Sequence, residues 1–250
     1  MRSRCLPTLL FLAGLPAGAQ LVPEFQAPDE SCCTQFAAQK LADQLKDWSQ
    51  IGTYYKENAR LADAPAPKNR VVFFGDAITA EWKLEVNFPG KPYLNRGIPG
   101  QTSPQMLVRF FPDVVNLHPA AALILAGIND IARNTGPQTL DMIGDNIRAM
   151  CELAKAHDIK VVLGLILPVS DYTKHKQTEH HPLADITRLN DWIRKYAAEI
   201  HAEVADFYSA VVDDKGMLKE GYSEDGAHAN AESYARMAPV AQAALDRAIR

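Results

Sequence analysis

An aspartate and a histidine near the end of the chain stand at a spacing that suits proton transfer. Asp225 and His228 are three positions apart in a loop-like stretch, and a helical pattern follows them. A carboxylate at this offset can accept a hydrogen bond from the histidine Nδ1, which leaves Nε2 free to act as a general base. A lone histidine is more often a surface residue, so the catalytic hypothesis depends on the neighbouring carboxylate.

Three other stretches contain groups that could donate hydrogen bonds to a developing negative charge. GDAIT, residues 75–79, follows an apolar run and begins a helical pattern, so its backbone N–H groups favour an anion. Gly97, in NRGIPGQT, has no side chain to shield its N–H. Asn129, in GIND, can donate through its amide. Each stretch alone has an equally common explanation as a capped helix start, a Gly/Pro loop or a capping asparagine.

These three stretches follow apolar segments that alternate with helical patterns. Strands separated by helices at this spacing predict a parallel sheet with helices on both faces, whose ligands bind beyond the carboxyl ends of the strands. We therefore predict a three-layer α/β/α sandwich around a five-stranded parallel sheet, preceded by a helical extension from about Cys33 to Leu61. The predicted strands are Arg70–Phe74, Tyr93–Arg96, Ala121–Leu125, Lys160–Leu165 and Glu203–Asp206, and the predicted helices cover 102–117, 138–157, 183–201 and 230–248.

Taken in chain order, the motifs GD-x-I-T, N-R-G, G-x-N-D and D-G-x-H form a specific set that resembles the SGNH hydrolases, also called GDSL-type esterases. The resemblance runs from about Asn69 to Val240. LVRF (107–110) and LPVSDY (167–172) are similar to the branch that includes platelet-activating-factor acetylhydrolase and lysophospholipase-like esterases. The resemblance implies a flavodoxin-like fold and serine-dependent hydrolysis of carboxylic esters, with neither metal nor cofactor.

The resemblance also implies a role for each matching residue. Gly97 and Asn129 correspond to the oxyanion-hole glycine and asparagine, together with the N–H of residue 77. Asp225 and His228 correspond to the acid and base of the catalytic triad. Ala77 stands where the family has its nucleophilic serine.

The alanine at position 77 removes the group that would attack the ester. Losing a triad nucleophile costs on the order of 10⁴–10⁶ in rate, so we predict that this chain is inactive or nearly so. Thr79, Ser103, Ser170 and Ser223 do not match the motif of a substitute nucleophile. Two explanations stay open: an engineered inactivation, or a natural protein that binds its ligand without turnover.

The predicted substrate is a small acyl ester, acetyl first, of a small molecule or a carbohydrate. One alternative is a non-catalytic binding protein for acylated glycans on an esterase scaffold. Another is a lysophospholipase, which needs an apolar channel for a long acyl chain.

Composition and the N-terminus define the class of protein. The 250 residues are 47% hydrophobic and 22% charged with a net charge of −4, which is typical of a single globular domain and does not favour nucleic acid. Arg2 and Arg4 precede an apolar run and the small residues Ala17-Gly18-Ala19, the order of a secretory signal peptide. We predict a signal peptide over 1–19, a leader and helical extension over 20–66 and the hydrolase domain over 67–250. The protein would be exported to the periplasm or the extracellular space without stable membrane insertion.

Cysteines and histidines give no sign of a metal centre. Cys32, Cys33 and Cys151 remain after removal of the signal peptide, and their spacing favours packing residues with at most one disulfide. His175, His180 and His181 form a polar loop cluster whose spacing fixes no coordination geometry. Because this loop follows the fourth predicted strand, we expect it to border the mouth of the active site.

Overall fold

The structure is a computed structural model that describes residues 45–63, 65–174 and 176–250. The predicted signal peptide, its cleavage near Ala19, the leader, Cys32, Cys33 and His175 lie outside the described residues. Cys151 is described, and it is buried with a free thiol.

Five parallel strands form the central sheet, in the order β2-β1-β3-β4-β5. Every residue of β1 and of β3 is buried, as expected for central strands that helices cover on both faces. Each strand lies within one residue of its predicted bounds, so the predicted sheet is confirmed. The strands are β1 (Val71–Gly75), β2 (Tyr93–Gly97), β3 (Ala121–Leu125), β4 (Lys160–Gly164) and β5 (Glu203–Ala205).

Helices pack on both sides of this sheet and complete the predicted three-layer sandwich. The α-helices are α1 (Tyr55–Ala62), α2 (Ala77–Ala80), α3 (Leu84–Asn87), α4 (Ser103–Asp113), α5 (Ile128–Ile131), α6 (Leu140–Ala156), α7 (Leu183–Ile200), α8 (Phe207–Val211) and α9 (Ala231–Ala248). Short 3₁₀ helices cover Ile51–Thr53, Val115–Leu117 and Gln177–Glu179. Helix α6 contacts α4 and α7, whereas α9 contacts α8 and the strands β3, β4 and β5.

The helical extension predicted before β1 is interrupted in its described part, because the chain turns between residues 47 and 54. The Asp47 side chain accepts hydrogen bonds from the backbone N–H groups of Ile51 at 2.9 Å and Gly52 at 2.8 Å. Gln50 adopts a left-handed conformation with φ 57°. Side-chain hydrogen bonds of this kind compete with the helical backbone pattern, and only α1 remains helical after the turn.

A fully buried arginine holds the carboxyl ends of the first two strands together. The Arg109 guanidinium donates to the carbonyl of Gly75 at 3.0 Å and to the carbonyl of Arg96 at 2.9 Å. It also donates to the Gln101 side chain and forms an ion pair with Asp113 at 2.9 Å. Because its planar fork reaches several acceptors at once, Arg109 fixes the edge of the sheet where β1 and β2 end.

Candidate active site

The turn after β1, residues 75–80, here called the β1 turn, is tightly packed. A Cβ on Gly75 would lie 2.7 Å from the carbonyl oxygen of Leu125, so only glycine fits there. The Asp76 side chain caps α2 by accepting the N–H of Ile78 at 3.0 Å. Ala77, the first residue of α2, is 6% exposed.

A cleft of about 450 Å³ opens above the carboxyl edge of the sheet. Ala77, Asn129 and His228 all line it, although they come from three distant parts of the sequence. Such a crevice beyond the strand ends is where parallel α/β sheets bind their ligands.

The loop at residues 223–230, here called the histidine loop, orients His228 through Asp225. Asp225 Oδ2 lies 2.6 Å from the Nδ1 of His228, so the predicted hydrogen bond between these side chains is present. Asp225 Oδ1 accepts the N–H groups of Ala227 at 2.9 Å and His228 at 2.8 Å. The Ser223 hydroxyl donates to the same oxygen at 3.0 Å. The carboxylate therefore holds both the backbone and the ring of the histidine, and Nε2 is left for the cleft.

The pair has mutually shifted pKa values. Burial by itself would raise the pKa of Asp225, but the hydrogen bonds from His228 and from the N–H of Ala227 outweigh it and hold that pKa below its usual value. Burial lowers the pKa of His228, whereas the hydrogen bond and negative charge of Asp225 raise it. Glu81 and Asp76 raise it further, and the net pKa of His228 lies above 6.5.

Asn129 follows β3 in the first turn of α5, and its amide is held from both ends. The Nδ2 atom lies 3.1 Å from the carbonyl of Gln101 and 3.4 Å from Asp76 Oδ2. The Oδ1 atom accepts a hydrogen bond from Asn134 Nδ2 at 2.9 Å. The donor end of the amide is therefore directed toward the loop after β2 and the β1 turn.

Gly97 is not brought to the cleft, contrary to the expectation from the sequence. Its N–H donates to Asn95 Oδ1 at 2.9 Å, and its carbonyl accepts the hydroxyl of Tyr54 at 2.5 Å. A Cβ on Gly97 would lie 2.6 Å from the Cα of Ala80, so this glycine allows β2 to pack closely on α2. Its role in the structure is close packing, and it is not among the residues that line the cleft.

Gly100 lies in the cleft instead, three residues further along the same loop. It has φ 76°, and the N–H of Gln101 bonds to the carbonyl of Ile98 at 3.4 Å across the turn. Pro99-Gly100 in the centre of such a turn is the pattern of type II, which needs a positive φ at its third residue. The Pro-Gly pair is a signal in the sequence for a turn at Gly100, but it does not indicate that this turn enters the cleft.

The loop after β4 borders the cleft, as predicted, and supports the histidine loop. Gln177, His180 and His181 line the cleft. The Gln177 side chain donates to the carbonyl of Asp225 at 3.1 Å. Burial lowers the pKa of His181, and its Nδ1 lies 3.2 Å from the Gln177 carbonyl, so the neutral ring presents Nε2 as an acceptor.

The other hydroxyl residues considered from the sequence are engaged in structural contacts. Ser103 is fully buried and donates to Asp130 Oδ1 at 2.6 Å. Ser223 donates to Asp225, and both Thr79 and Ser170 are buried. None of these four residues lines the described cleft around Ala77.

Two buried carboxyl groups lie under the cleft. Burial raises the pKa of Asp76 to about 7 and that of Asp130 to about 6. Asp130 also accepts the N–H of Ser103, which joins the start of α4 to α5. Within residues 45–63, 65–174 and 176–250, no group of three or more His, Cys, Asp or Glu side chains is arranged to hold a metal ion. No helix of that part of the chain is long and apolar enough to cross a membrane.

Comparison with known proteins places the chain in a family. The model of the GDSL-like lipase/acylhydrolase family matches residues 73–236, well over half of the sequence. The chain therefore belongs to the GDSL-like lipase/acylhydrolase family, a class of ester hydrolases.

Solved structures agree with this assignment. A candidate acylhydrolase from Bacteroides fragilis is 38% identical, with a TM-score of 0.75 over 81% of this chain and 99% of that one. A GDSL-like lipase from Bacteroides thetaiotaomicron is 37% identical, with a TM-score of 0.72 over 80% and 98%. A catalytic mutant of an acetylxylan esterase from Geobacillus stearothermophilus shares the fold at 17% identity, with a TM-score of 0.58 over 72% and 95%. No curated protein sequence matches the chain significantly.

Proposed function

We propose that this site is built for the hydrolysis of small acyl esters through a serine-type mechanism whose nucleophile is replaced by Ala77. The observation that carries the proposal is the shared cleft. Ala77, Asn129 and His228 line the same cleft, and Asp225 orients His228, which supports a site for acyl transfer.

The chemistry of the complete site follows from these positions. A serine hydroxyl at position 77 attacks the ester carbonyl while His228 Nε2 takes its proton. The N–H of residue 77, the N–H of Gly100 and Asn129 Nδ2 stabilise the oxyanion. The tetrahedral intermediate expels the alcohol oxygen, which receives the proton from His228, and an acyl-enzyme remains. Water attacks this acyl group as it loses a proton to His228. The second tetrahedral intermediate then expels the serine oxygen, which takes that proton from His228, and the carboxylic acid leaves.

With Ala77, the first bond-forming step has no attacking oxygen, so the chain binds esters without appreciable turnover. The remaining parts of the site are assembled, which supports the loss of a single atom rather than the decay of the whole site. We propose that the chain with Ala77 has no appreciable esterase activity for this reason.

The proposed substrate is an acetyl or other short acyl ester of a polyhydroxy alcohol such as a carbohydrate. His228 must return a proton to the leaving alcohol, so neighbouring side chains contact the alcohol half. Among its neighbours at the cleft are Gln177, His180 and His181, which can hydrogen-bond to hydroxyl groups. The acetylxylan esterase that shares this fold acts on an ester of this class.

Export of the mature protein belongs to the same proposal, since the order of charged, apolar and small residues over 1–19 is that of a signal peptide. Mass spectrometry of the secreted chain is expected to find an N-terminus near Gln20. An exported protein that still begins at Met1 would contradict it.

The test of the proposed function is restoration of the missing oxygen. Ala77→Ser is expected to raise hydrolysis of p-nitrophenyl acetate by at least about 10³-fold, because the base and the oxyanion donors are in place. A folded Ala77→Ser protein that is no faster than the parent on several short acyl esters would overturn the proposal.

A second candidate function is the binding of acylated glycans without catalysis. Ala77 itself favours it, since the cleft is intact while the attacking oxygen is absent. Calorimetric titration of the unaltered chain with an acetylated sugar and with the same sugar deacetylated tests this. Binding of the acetylated sugar in the micromolar range, together with an Ala77→Ser variant that has no esterase activity, would favour the function of a non-catalytic binding protein.

A further inference from the structure

We propose that Asn134 is a positioning residue that sets both the orientation of the Asn129 amide and its distance from Gly100. The inference rests on the proposed function of the cleft. It concerns a residue outside the four motifs, whose side chain is exposed at the border of the cleft.

One side-chain amide bridges the two loops that carry the oxyanion donors. Asn134 Nδ2 donates to Asn129 Oδ1 at 2.9 Å and to the carbonyl of Gly100 at 3.1 Å. An amide nitrogen has two N–H groups, and here each has its own acceptor. Asn134 therefore ties the loop after β2 to the loop after β3 at the two donors themselves, in addition to the bond from Asn129 to Gln101.

The bridge also decides which end of the Asn129 amide faces the cleft. The oxygen and nitrogen of an amide occupy nearly the same space, and a half turn about the last torsion exchanges them. A donor from Asn134 can be accepted only by Oδ1, which places Nδ2 on the side of Gln101 and Asp76. With Oδ1 turned inward, Asn129 would repel an oxyanion instead of binding it.

The backbone brings Asn134 to this position. Helix α5 ends in a Schellman motif, in which Arg133 is left-handed with φ 61°. The N–H of Asn134 bonds to the carbonyl of Asn129 at 3.1 Å, and the N–H of Arg133 bonds to the carbonyl of Asp130 at 3.0 Å. This motif folds the sixth residue back over the first, so Asn134 returns beside the residue it orients.

An exposed hydrogen bond contributes little to folding, so loss of this side chain should affect rate more than stability. In the Ala77→Ser background, Asn134→Ala is expected to lower kcat on p-nitrophenyl acetate by about 10-fold or more, with KM changed less than about twofold. Asn134→Asp is expected to lower kcat further, because a carboxylate at this position can no longer donate to Asn129 Oδ1 and repels it.

A double-mutant cycle separates positioning from a general structural effect. If Asn134 acts through Asn129, then Asn134→Ala should cost little once Asn129→Ala is present. Asn87→Ala is the matched control, since its amide also donates to one carbonyl, that of Lys83 at 3.0 Å, but lies outside the cleft. The control should leave both kcat and the melting temperature unchanged.

The outcomes distinguish this inference from the proposed function. An active Ala77→Ser enzyme whose kcat is unaffected by Asn134→Ala overturns the positioning role alone. Additive effects of Asn129→Ala and Asn134→Ala also overturn it, because they mean that the two residues act separately. A silent Ala77→Ser protein instead overturns the proposed function, and the positioning role with it.

Discussion

The β1 turn and the histidine loop meet at one cleft, but the protein holds them in different ways. In the β1 turn, Asp76 is 1% exposed and Ala77 is 6% exposed, and glycine is required where the turn crosses β3. In the histidine loop, the side chains of Asp225 and His228 are 47% and 50% exposed. The turn is part of the core, whereas the catalytic side chains of the loop are half exposed.

The histidine loop gains its position from a second loop rather than from the core. After β4, the N–H of Ser170 donates to the carbonyl of Gly226 at 2.8 Å, and the Tyr172 hydroxyl donates to the carbonyl of Ser223 at 2.9 Å. The Gln177 side chain adds its hydrogen bond to Asp225. Substitutions that disturb the packing of the β1 turn should therefore affect stability, and substitutions that displace the histidine loop should affect the rate of catalysis.

The largest expected effect tests whether the two regions act as one unit. Adding His228→Ala to Ala77→Ser is expected to remove nearly all of the gain of about 10³-fold, because a serine without a base is a poor nucleophile at neutral pH. The measurement is kcat/KM on p-nitrophenyl acetate at pH 7.5. Retention of most of the gain would mean that His228 does not act as the base for a serine at position 77.

A substitution within the histidine loop should separate rate from folding. Gly226 has φ 87°, and an added Cβ would lie 2.5 Å from the carbonyl of Ser170, so Gly226→Ala should displace the loop. In the Ala77→Ser background we expect kcat to fall by about 10- to 10²-fold, the scale of a displaced catalytic group. Gly221→Ala is the matched control, since φ is 85° there but a Cβ meets nothing within 4 Å. Equal losses of kcat in Gly226→Ala and Gly221→Ala would show that contact with the Ser170 carbonyl does not cause the loss.

The corresponding substitution in the β1 turn should act on the fold. A Cβ at Gly75 meets the Leu125 carbonyl at 2.7 Å and Thr79 more closely still. Gly75→Ala in the unaltered chain is expected to lower the free energy of unfolding by about 1–3 kcal/mol through overpacking, measured by urea denaturation. A stability equal to that of the parent would show that the turn can shift as easily as a surface loop.

Removal of one supporting hydrogen bond should have a small effect on rate. Tyr172→Phe deletes the hydroxyl that bonds to Ser223 and is expected to lower kcat of the Ala77→Ser enzyme by about two- to tenfold. Tyr208→Phe is the control, because its hydroxyl bonds to Gly216, outside the histidine loop, at 3.2 Å. A larger loss in the control than in Tyr172→Phe would contradict the supporting role.

The smallest effect concerns protonation and can be measured without catalysis. The pKa of His228 is raised above 6.5, so its contribution to stability is present below pH 6.5 and is lost as pH rises through the folded-state pKa. The neutral base forms above that same pKa, so kcat/KM of Ala77→Ser should rise as the pH rises through this pKa.

Asp225→Asn is expected to lower the pKa of His228, as followed by NMR of the ring protons in the Ala77 chain. An unchanged or higher pKa would contradict the pairing.

Much of the fold was predictable because strands and helices leave local signals. The five strands of the sheet lie within one residue of their predicted bounds, since buried parallel strands are continuous apolar runs between turns. The helical extension predicted before β1 is interrupted over residues 47–54. There, the Asp47 side chain competes for backbone N–H groups, which hydrophobic periodicity does not register.

The parts of the site that depend on close spacing along the chain could be predicted from the sequence alone. Asp225 and His228 are three residues apart, and Asp76 caps the helix that begins at the next residue, so local geometry alone joins them. The choice between Gly97 and Gly100 depended on how the chain folds in three dimensions. Gly97 ends β2 and packs on α2, whereas Gly100 follows β2 and turns into the cleft. The hydrogen bond from Asn134 to Gly100 also depends on the tertiary structure, because the two residues are 34 positions apart and meet only where the strands place their loops.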